Sequence, residues 1–314
     1  MSRGWKIFLW IAGVFVLGYV VLLVALLASA GDGVAWGSGS GTVGVIRLDG
    51  VISADSEPTA FSAGGIDPVS TVELLRSADE DPDIDAIVLR INSPGGSPAA
   101  SWEIYQAVSE MQKPVVVSVA DVAASGAYYF ASPADVIMAA PTSEVGSIGV
   151  ILMAQDLEGL LEKVGIRYTV LTRGEHKDIG SPARAMTDEE KRILQEQVDM
   201  IYERFIADVA DGRPELDADQ VRELATGLTY PGEEALRLGL IDELGSYSDA
   251  LDVAADLAGL DLEDYGVTYL QPEFGADLLS LFLGVSSGAL RQIGIGLAQG
   301  LTAPALDGAR LRLE

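Results

Sequence analysis

The hydrophobic pattern divides the chain before any residue chemistry is considered. From Ile7 to Ala30 there are 24 residues without a charge. As a helix rising about 1.5 Å per residue, that run is long enough to cross the ~30 Å hydrocarbon core of a bilayer. Beyond it, short apolar runs alternate with helical patterns: Val43–Leu48, a helix near Val69–Ala78, Ala86–Ile91, a helix near Ala99–Met111, Pro114–Val119, a helix near Ser125–Ala131, and Asp135–Ala139. Repeated βα units of this kind predict an α/β domain with a parallel sheet covered by helices. Further on, Arg167–Thr172 reads as another strand. Thr187 with Glu190 forms a capping box that opens a long helix, in which Ile193, Val198, Ile201, Tyr202 and Phe205 supply a stripe expected to face the core.

The flanks of the first run set a topology. Arg3 and Lys6 precede it and Asp32 follows, so the excess of positive charge places the N-terminus in the cytoplasm and the rest outside a single-pass cell membrane anchor. A cleaved signal peptide is the rival, because Ala28-Ser29-Ala30 fits a small-residue cleavage site, but the run exceeds the roughly 7 to 15 apolar residues of such a peptide. The expected organisation is an anchor over 1–30, a Gly/Ser tether over 31–42, a catalytic domain over 43–272 and an apolar segment over 273–314. Between Phe274 and Leu306 the only charges are Asp277 and Arg291. Neither uncharged stretch there reaches the ~20 residues of a second span, which leaves subunit packing or membrane-surface contact.

Composition narrows the chemistry. The net charge is −27, from 47 acidic and 20 basic residues, and such a surface repels nucleic acid. Salt screens a self-repulsion of this size, which points to a halophilic protein, with an acidic protein of ordinary salt as the alternative. There is no cysteine, which removes disulfides, thiolate nucleophiles and sulfur-bound metals. His176 is the one histidine, so a multi-histidine zinc site is impossible and a Ser-His-Asp triad would have to run through that residue. No cofactor or metal is expected.

Two loops carry candidate chemistry. Asn92-Ser93-Pro94-Gly95-Gly96 follows a buried strand; its glycines permit the φ values that turn backbone N–H groups outward, as an oxyanion requires. The bland reading is a Pro-Gly-Gly turn. Ala123-Ala124-Ser125-Gly126-Ala127-Tyr128-Tyr129 places a serine among small residues where a helix begins, with the Gly126 N–H as a further donor. There the bland reading is a helix N-cap. Downstream, Lys177 sits in the glycine-punctuated loop Arg173–Pro182. A lysine serves as a base only where burial disfavours its charged form; exposed, it is one more surface charge.

Taken with Gly-Ser-Ile-Gly-Val at 146–150 and His-Lys-Asp-Ile-Gly-Ser-Pro at 176–182, these loops, in order and spacing, resemble signal peptide peptidase A. Tyr230–Ala235 through Ile241–Gly245 resembles the module that closes that family's catalytic domain. The resemblance covers about residues 43 to 260 and implies a Clp-protease/crotonase-like fold of repeated ββα units, preceded here by the membrane helix. It implies Ser125 as nucleophile, Lys177 as general base, Gly95 and Gly96 as the loop lining the oxyanion hole, and Ser147 as a support for the lysine, the alternative for Ser147 being a turn residue. His176 has no part in that dyad and reads as a solvated loop residue. Asp178 could offset the lysine's charge, although a nearby carboxylate stabilises the charged form, which a base does not need. The implied function is a membrane-anchored serine endopeptidase acting on residual signal peptides and other membrane-proximal peptides. The implied assembly is a ring-like homo-oligomer with active sites between subunits. The alternatives are a stomatin-operon-type membrane peptidase and a non-catalytic membrane scaffold of the same fold.

Overall fold

The computed structural model describes residues 41–54 and 64–270. The expected anchor, nearly all of the tether and the apolar C-terminal segment lie outside them. Among the described residues no helix is long and apolar enough to cross a membrane.

The predicted strand–helix alternation is present. Strand β1 (Thr42–Asp49), helix α1 (Pro68–Glu80), β2 (Ala86–Ser93), α2 (Pro98–Ser109) and β3 (Val115–Ala124) make two successive crossovers, with the three strands paired in parallel. Each crossover helix starts on a short polar cap followed by proline. Asp67 accepts the Ser70 N–H at 2.8 Å before Pro68, and Ser97 accepts the Ala100 N–H at 3.4 Å before Pro98. Proline lacks only an N–H that the first helical turn leaves unpaired, and its fixed φ suits that turn.

After the short helix α3 (Gly126–Ala131), β3 is shared between two neighbours. Its first half pairs in parallel with β4 (Val136–Ala139), and its last residues pair with β5 (Glu144–Gly146). The sheet is completed by β6 (Thr229–Pro231), antiparallel to β5, by β7 (Glu243–Leu244) beside β4, and by β8 (Gly266–Leu270) beside β1. The fold is therefore mixed α/β with a sheet that is parallel except at one edge.

Side-chain alternation splits the core into two layers. Ile46, Leu48, Ile87, Leu89, Ile91, Val117 and Val119 face α1, α2 and α3. Val43, Val45, Ala86, Val88 and Val116 face Ala250, Ala254 and Ala255 of α8 (Tyr247–Leu257). Covering both faces is what makes β2 almost continuously buried. The remaining helices are α4 (Glu158–Lys163), α5 (Asp188–Gly212), α6 (Ala218–Leu224) and α7 (Gly232–Arg237).

Two sequence expectations are corrected. Arg167–Thr172 is exposed irregular chain and not a strand; its alternating pattern specifies a strand only where a sheet edge lies alongside to pair with it. The capping box that opens α5 is present, but its apolar stripe divides. Phe205 is buried together with Ile206 and Val209, Ile193, Val198 and Tyr202 are half-buried, and Ile201 is 38% exposed, next to Met200 at 72%. Helical periodicity predicts a shared face but not how far along the helix the core extends.

Candidate functional site

The carboxyl ends of parallel strands are where an open α/β sheet leaves a crevice, and the sequence-predicted loops converge there. β2 ends at Ser93, opposite Ala123, and β3 ends at Ala124, opposite Gly146 of β5. Asn92-Ser93-Pro94-Gly95-Gly96, Ser125-Gly126 and Gly146-Ser147 are thereby neighbours in space, although they belong to three separate segments of the chain.

Ser125 occupies the N-cap of α3 without acting as a cap. Its φ of 52° and ψ of −122° form a sharp strand-to-helix turn, and its hydroxyl makes no capping hydrogen bond. A non-glycine residue in that region costs of order 1–3 kcal/mol, and such strain collects at functional sites. Its own N–H is consumed by the Gly146 carbonyl at 2.7 Å and its carbonyl by the Tyr129 N–H at 2.9 Å. The turn is thus pinned by its backbone, and the half-buried side chain makes no capping hydrogen bond.

The glycines are required by close approach. A Cβ on Gly95, whose φ is +94°, would lie 2.7 Å from both the Ala124 carbonyl and the Gly126 nitrogen and 2.9 Å from the Ser125 Cβ. One on Gly96 would lie 2.1 Å from the Ile52 carbonyl. Gly96 forms a parallel bridge with Ile52, in which the Ile52 N–H donates to Gly95 and the Ser97 N–H donates to Ile52. In such a bridge the intervening Gly96 N–H points away from Ile52. Gly126, at the first position of α3, packs on Ser101, whose hydroxyl donates to the Ser97 carbonyl at 2.8 Å.

Ser147 also has positive φ, 51°. Its hydroxyl donates to the Gly227 carbonyl at 3.0 Å and its N–H to the Leu228 carbonyl at 2.9 Å, so in the single chain it fastens β5 to the segment entering β6. Behind the site, the Tyr129 hydroxyl donates to the buried Asp208 carboxylate, which also receives Arg204 at 2.8 Å. The Tyr129 ring stacks on Phe205 with centroids 4.5 Å apart, which fixes α3 against the second half of α5. Burial, with Asp208 beside it, pushes the Tyr129 hydroxyl well above the usual tyrosine range.

Lys177 makes no hydrogen bond to this cluster among the described residues. It lies exposed in a turn over residues 175–180, with its N–H on the Gly174 carbonyl at 3.3 Å, and its side chain pairs with no carboxylate among the described residues. His176 is exposed beside it. Asp178 is committed elsewhere: Arg184 binds it at 2.9 and 3.0 Å, and that contact holds its carboxyl below the usual range. The stretch carrying Lys177 exposes Ile151 (83%), Met153 (86%) and Leu171 (92%). Among the described residues no cluster of His, Asp or Glu side chains could hold a metal ion.

Several supporting residues escaped sequence reading: Ile52, Ser101, Gly227, Leu228 and Arg184. Each acts on a residue outside its own motif or through its backbone, so no local pattern marks it.

The model of peptidase family S49 matches residues 107–261. A Methanocaldococcus jannaschii protein named "Putative protease" is 39% identical over 222 residues, covering 69% of this chain and 70% of that one. Protease 4 of Salmonella typhi is 36% identical over 254 residues, 80% of this chain and 40% of its own length. The chloroplastic serine protease SPPA of Arabidopsis thaliana is 33% identical over 228 residues, 71% of this chain and 33% of its own. This chain therefore spans well under half of the latter two relatives. With this fold and these matches, the chain belongs to peptidase family S49, a family of serine-type peptidases, and the four motifs that resemble signal peptide peptidase A are accounted for by that membership.

Proposed function

We propose that the protein is a membrane-anchored serine endopeptidase in which Ser125 attacks the scissile carbonyl and Lys177, supplied by a neighbouring copy, takes the serine proton. The observation that carries this reading is the strained Ser125 turn, its hydroxyl uncommitted and the Gly95 backbone packed directly against it. The N–H groups of Gly96 and Gly126 are the donors proposed for the oxyanion, because the Ser125 N–H is already spent on Gly146. Water then releases the acyl-enzyme and leaves two shorter peptides.

An exposed lysine is a poor base. The exposed Ile151, Met153 and Leu171 and the outward-facing first half of α5 favour a second copy covering this surface, removing water from Lys177 and bringing it to Ser125. That arrangement is a homo-oligomer with active sites between subunits, and Ser147 is proposed to steady the lysine there. The repeated strand–helix units are consistent with a Clp-protease/crotonase-like origin. An anchor over residues 1–30 would hold the domain at the outer face of the cell membrane, where cleaved signal peptides and other membrane-proximal segments are the substrates.

The test is cleavage of a signal-peptide substrate by the full chain in high salt, alongside Ser125→Ala and Lys177→Ala. Each variant is expected to lose at least about a thousandfold, as removing a nucleophile or its base does elsewhere. Near-wild-type cleavage by either one would sink the dyad, and mixing the two inactive variants should restore part of the activity if the residues come from different copies.

A further inference from the structure

We propose that Arg184 is a positioning residue for Lys177: it docks the lysine-bearing turn on the start of α5 and occupies the carboxylate of Asp178, which would otherwise lie free beside the lysine. The proposal rests on Lys177 being the base.

A guanidinium has five N–H donors in a rigid plane, and all five of Arg184 are used. Nε and Nη2 grip the two oxygens of Asp178 at 2.9 and 3.0 Å, Nη1 and Nη2 grip those of Glu190 at 2.8 and 2.5 Å, and Nη1 also reaches the Ala185 carbonyl at 3.2 Å. The two partners have different anchorage. Glu190 is buried at the third position of α5, where it closes the capping box by accepting the Thr187 N–H at 2.9 Å and pairing its own N–H with the Thr187 hydroxyl at 3.2 Å. Asp178 belongs to the turn that carries Lys177, and its carbonyl accepts the Ser181 N–H at 3.0 Å. Arg184 therefore links an irregular, largely exposed turn to the capped start of the neighbouring helix, through the one side chain of that first turn, Glu190, that is buried.

That helix is in turn fixed to the nucleophile's helix by Asp208 and Tyr129. A continuous set of contacts runs from Asp178 through Arg184, Glu190 and α5 to α3.

The charges support the same role. Around the turn stand Arg173, Glu175, His176 and Asp178 of its own segment, Asp156, which lines a small cavity with Gly180, Ser181 and Arg184, Glu190 of α5, and Glu158 of α4, whose carboxylate receives the Ala185 N–H at 3.2 Å. Of these acidic groups Asp178 is the one adjacent to Lys177 in the chain, and Arg184 neutralises it. The pairing holds the Asp178 carboxyl below its ordinary range and brings Glu190 down to about 2. A lysine in place of Arg184 keeps a positive charge but cannot grip two carboxylates in one plane.

The experiment compares the pH dependence of kcat/KM for signal-peptide cleavage by the full-length wild type, Arg184→Met, Arg184→Lys, Asp178→Asn and the Asp178→Asn/Arg184→Met double variant, with Lys177→Ala in parallel. Arg184→Met frees a carboxylate beside the lysine, so the acid limb of the profile is expected to move up by about one pH unit, a roughly tenfold loss on that limb. The double variant should return the limb to its wild-type position. Arg184→Lys should lower kcat several-fold with the limb unmoved, and Asp178→Asn alone should leave the limb unmoved, because that charge is already taken up. A purely structural arginine would lower kcat in Arg184→Met without moving the limb, and this result overturns the proposal. If Arg184→Met fails to fold, Asp178→Asn decides: a downward shift shows Asp178 facing the lysine and also overturns it. Activity in Lys177→Ala would instead refute the base assignment itself.

Discussion

Replacing Gly95 by alanine is the sharpest test of how the Ser125 turn is built. Two costs can be worked from the structure. The first is conformational: at φ +94° an L side chain costs roughly 1–2 kcal/mol. The second is steric. The new Cβ would sit 2.7 Å from the Ala124 carbonyl and the Gly126 nitrogen, where ordinary contact begins at 3.4 Å, so one of the two backbones must retreat by about 0.7 Å. Overpacking of this kind costs roughly 1–3 kcal/mol, so the two costs together, about 2–5 kcal/mol, stay at or below the roughly 5–15 kcal/mol that holds an ordinary domain folded. Function is less tolerant, because a reactive constellation holds only within about 0.5 Å and a displacement near 1 Å costs on the order of a hundredfold. Gly95→Ala is therefore expected to remain folded in a urea titration while kcat/KM falls about 10- to 100-fold. Gly159→Ala is the control. It lies in α4 with nothing within 4 Å of its added Cβ, and it should gain about 0.5–1 kcal/mol of local helix stability. A Gly95→Ala enzyme within twofold of wild type would refute the proposed packing of the glycine loop on the nucleophile.

Other expectations follow from the same geometry. Ser125→Gly should be more stable than Ser125→Ala by about 1 kcal/mol, since relieving a strain of ~1–3 kcal/mol outweighs glycine's extra unfolded-state entropy of ~0.5–1; equal urea midpoints would show that the turn stores no such strain. Burial, with Asp208 second, pushes the Tyr105 hydroxyl up to about 12 from 10.0. A raised folded-state value gives stability that is complete below pH 10 and lost as pH rises towards 12, so alkaline unfolding should begin in that window and be blunted by Tyr105→Phe. Leu171→Asp and Met153→Asp alter side chains already in water in the single chain; they should leave the domain's melting unchanged while lowering oligomer mass in sedimentation and abolishing cleavage. A fully active, fully assembled pair of variants would show that this surface is not the contact.

Much of the central layer was legible in the sequence. The runs at Val43–Leu48 and Ala86–Ile91 became parallel strands because helices cover both faces, and the Thr187/Glu190 box opened α5 at the expected residue. Patterns that need a partner outside their own segment were read less well. Arg167–Thr172 has strand-like alternation but pairs with no strand among the described residues, and Ile201 follows the helical stripe yet faces water.

The candidate site divides in the same way. Local composition marked Gly95, Gly96, Ser125 and Gly126 as candidates, since small residues at strand ends are what close backbone approach demands, but left a turn and an N-cap as alternatives; Ser147 entered only through the resemblance to signal peptide peptidase A. The exposed placement of Lys177 could not be read, because burial belongs to the assembled surface and not to a tripeptide.

The sequence by itself determined which segments can be strands, where the helices start and which residue types are able to carry acyl-transfer chemistry, because propensity, capping and side-chain inventory act over a few positions. The tertiary structure alone decided that Gly146 takes the Ser125 N–H, that Ile52 turns the Gly96 N–H outward, and that Arg184 joins Asp178 to Glu190. Those contacts join residues whose proximity is set by strand order and by the path of the chain between them, and no local pattern encodes that path.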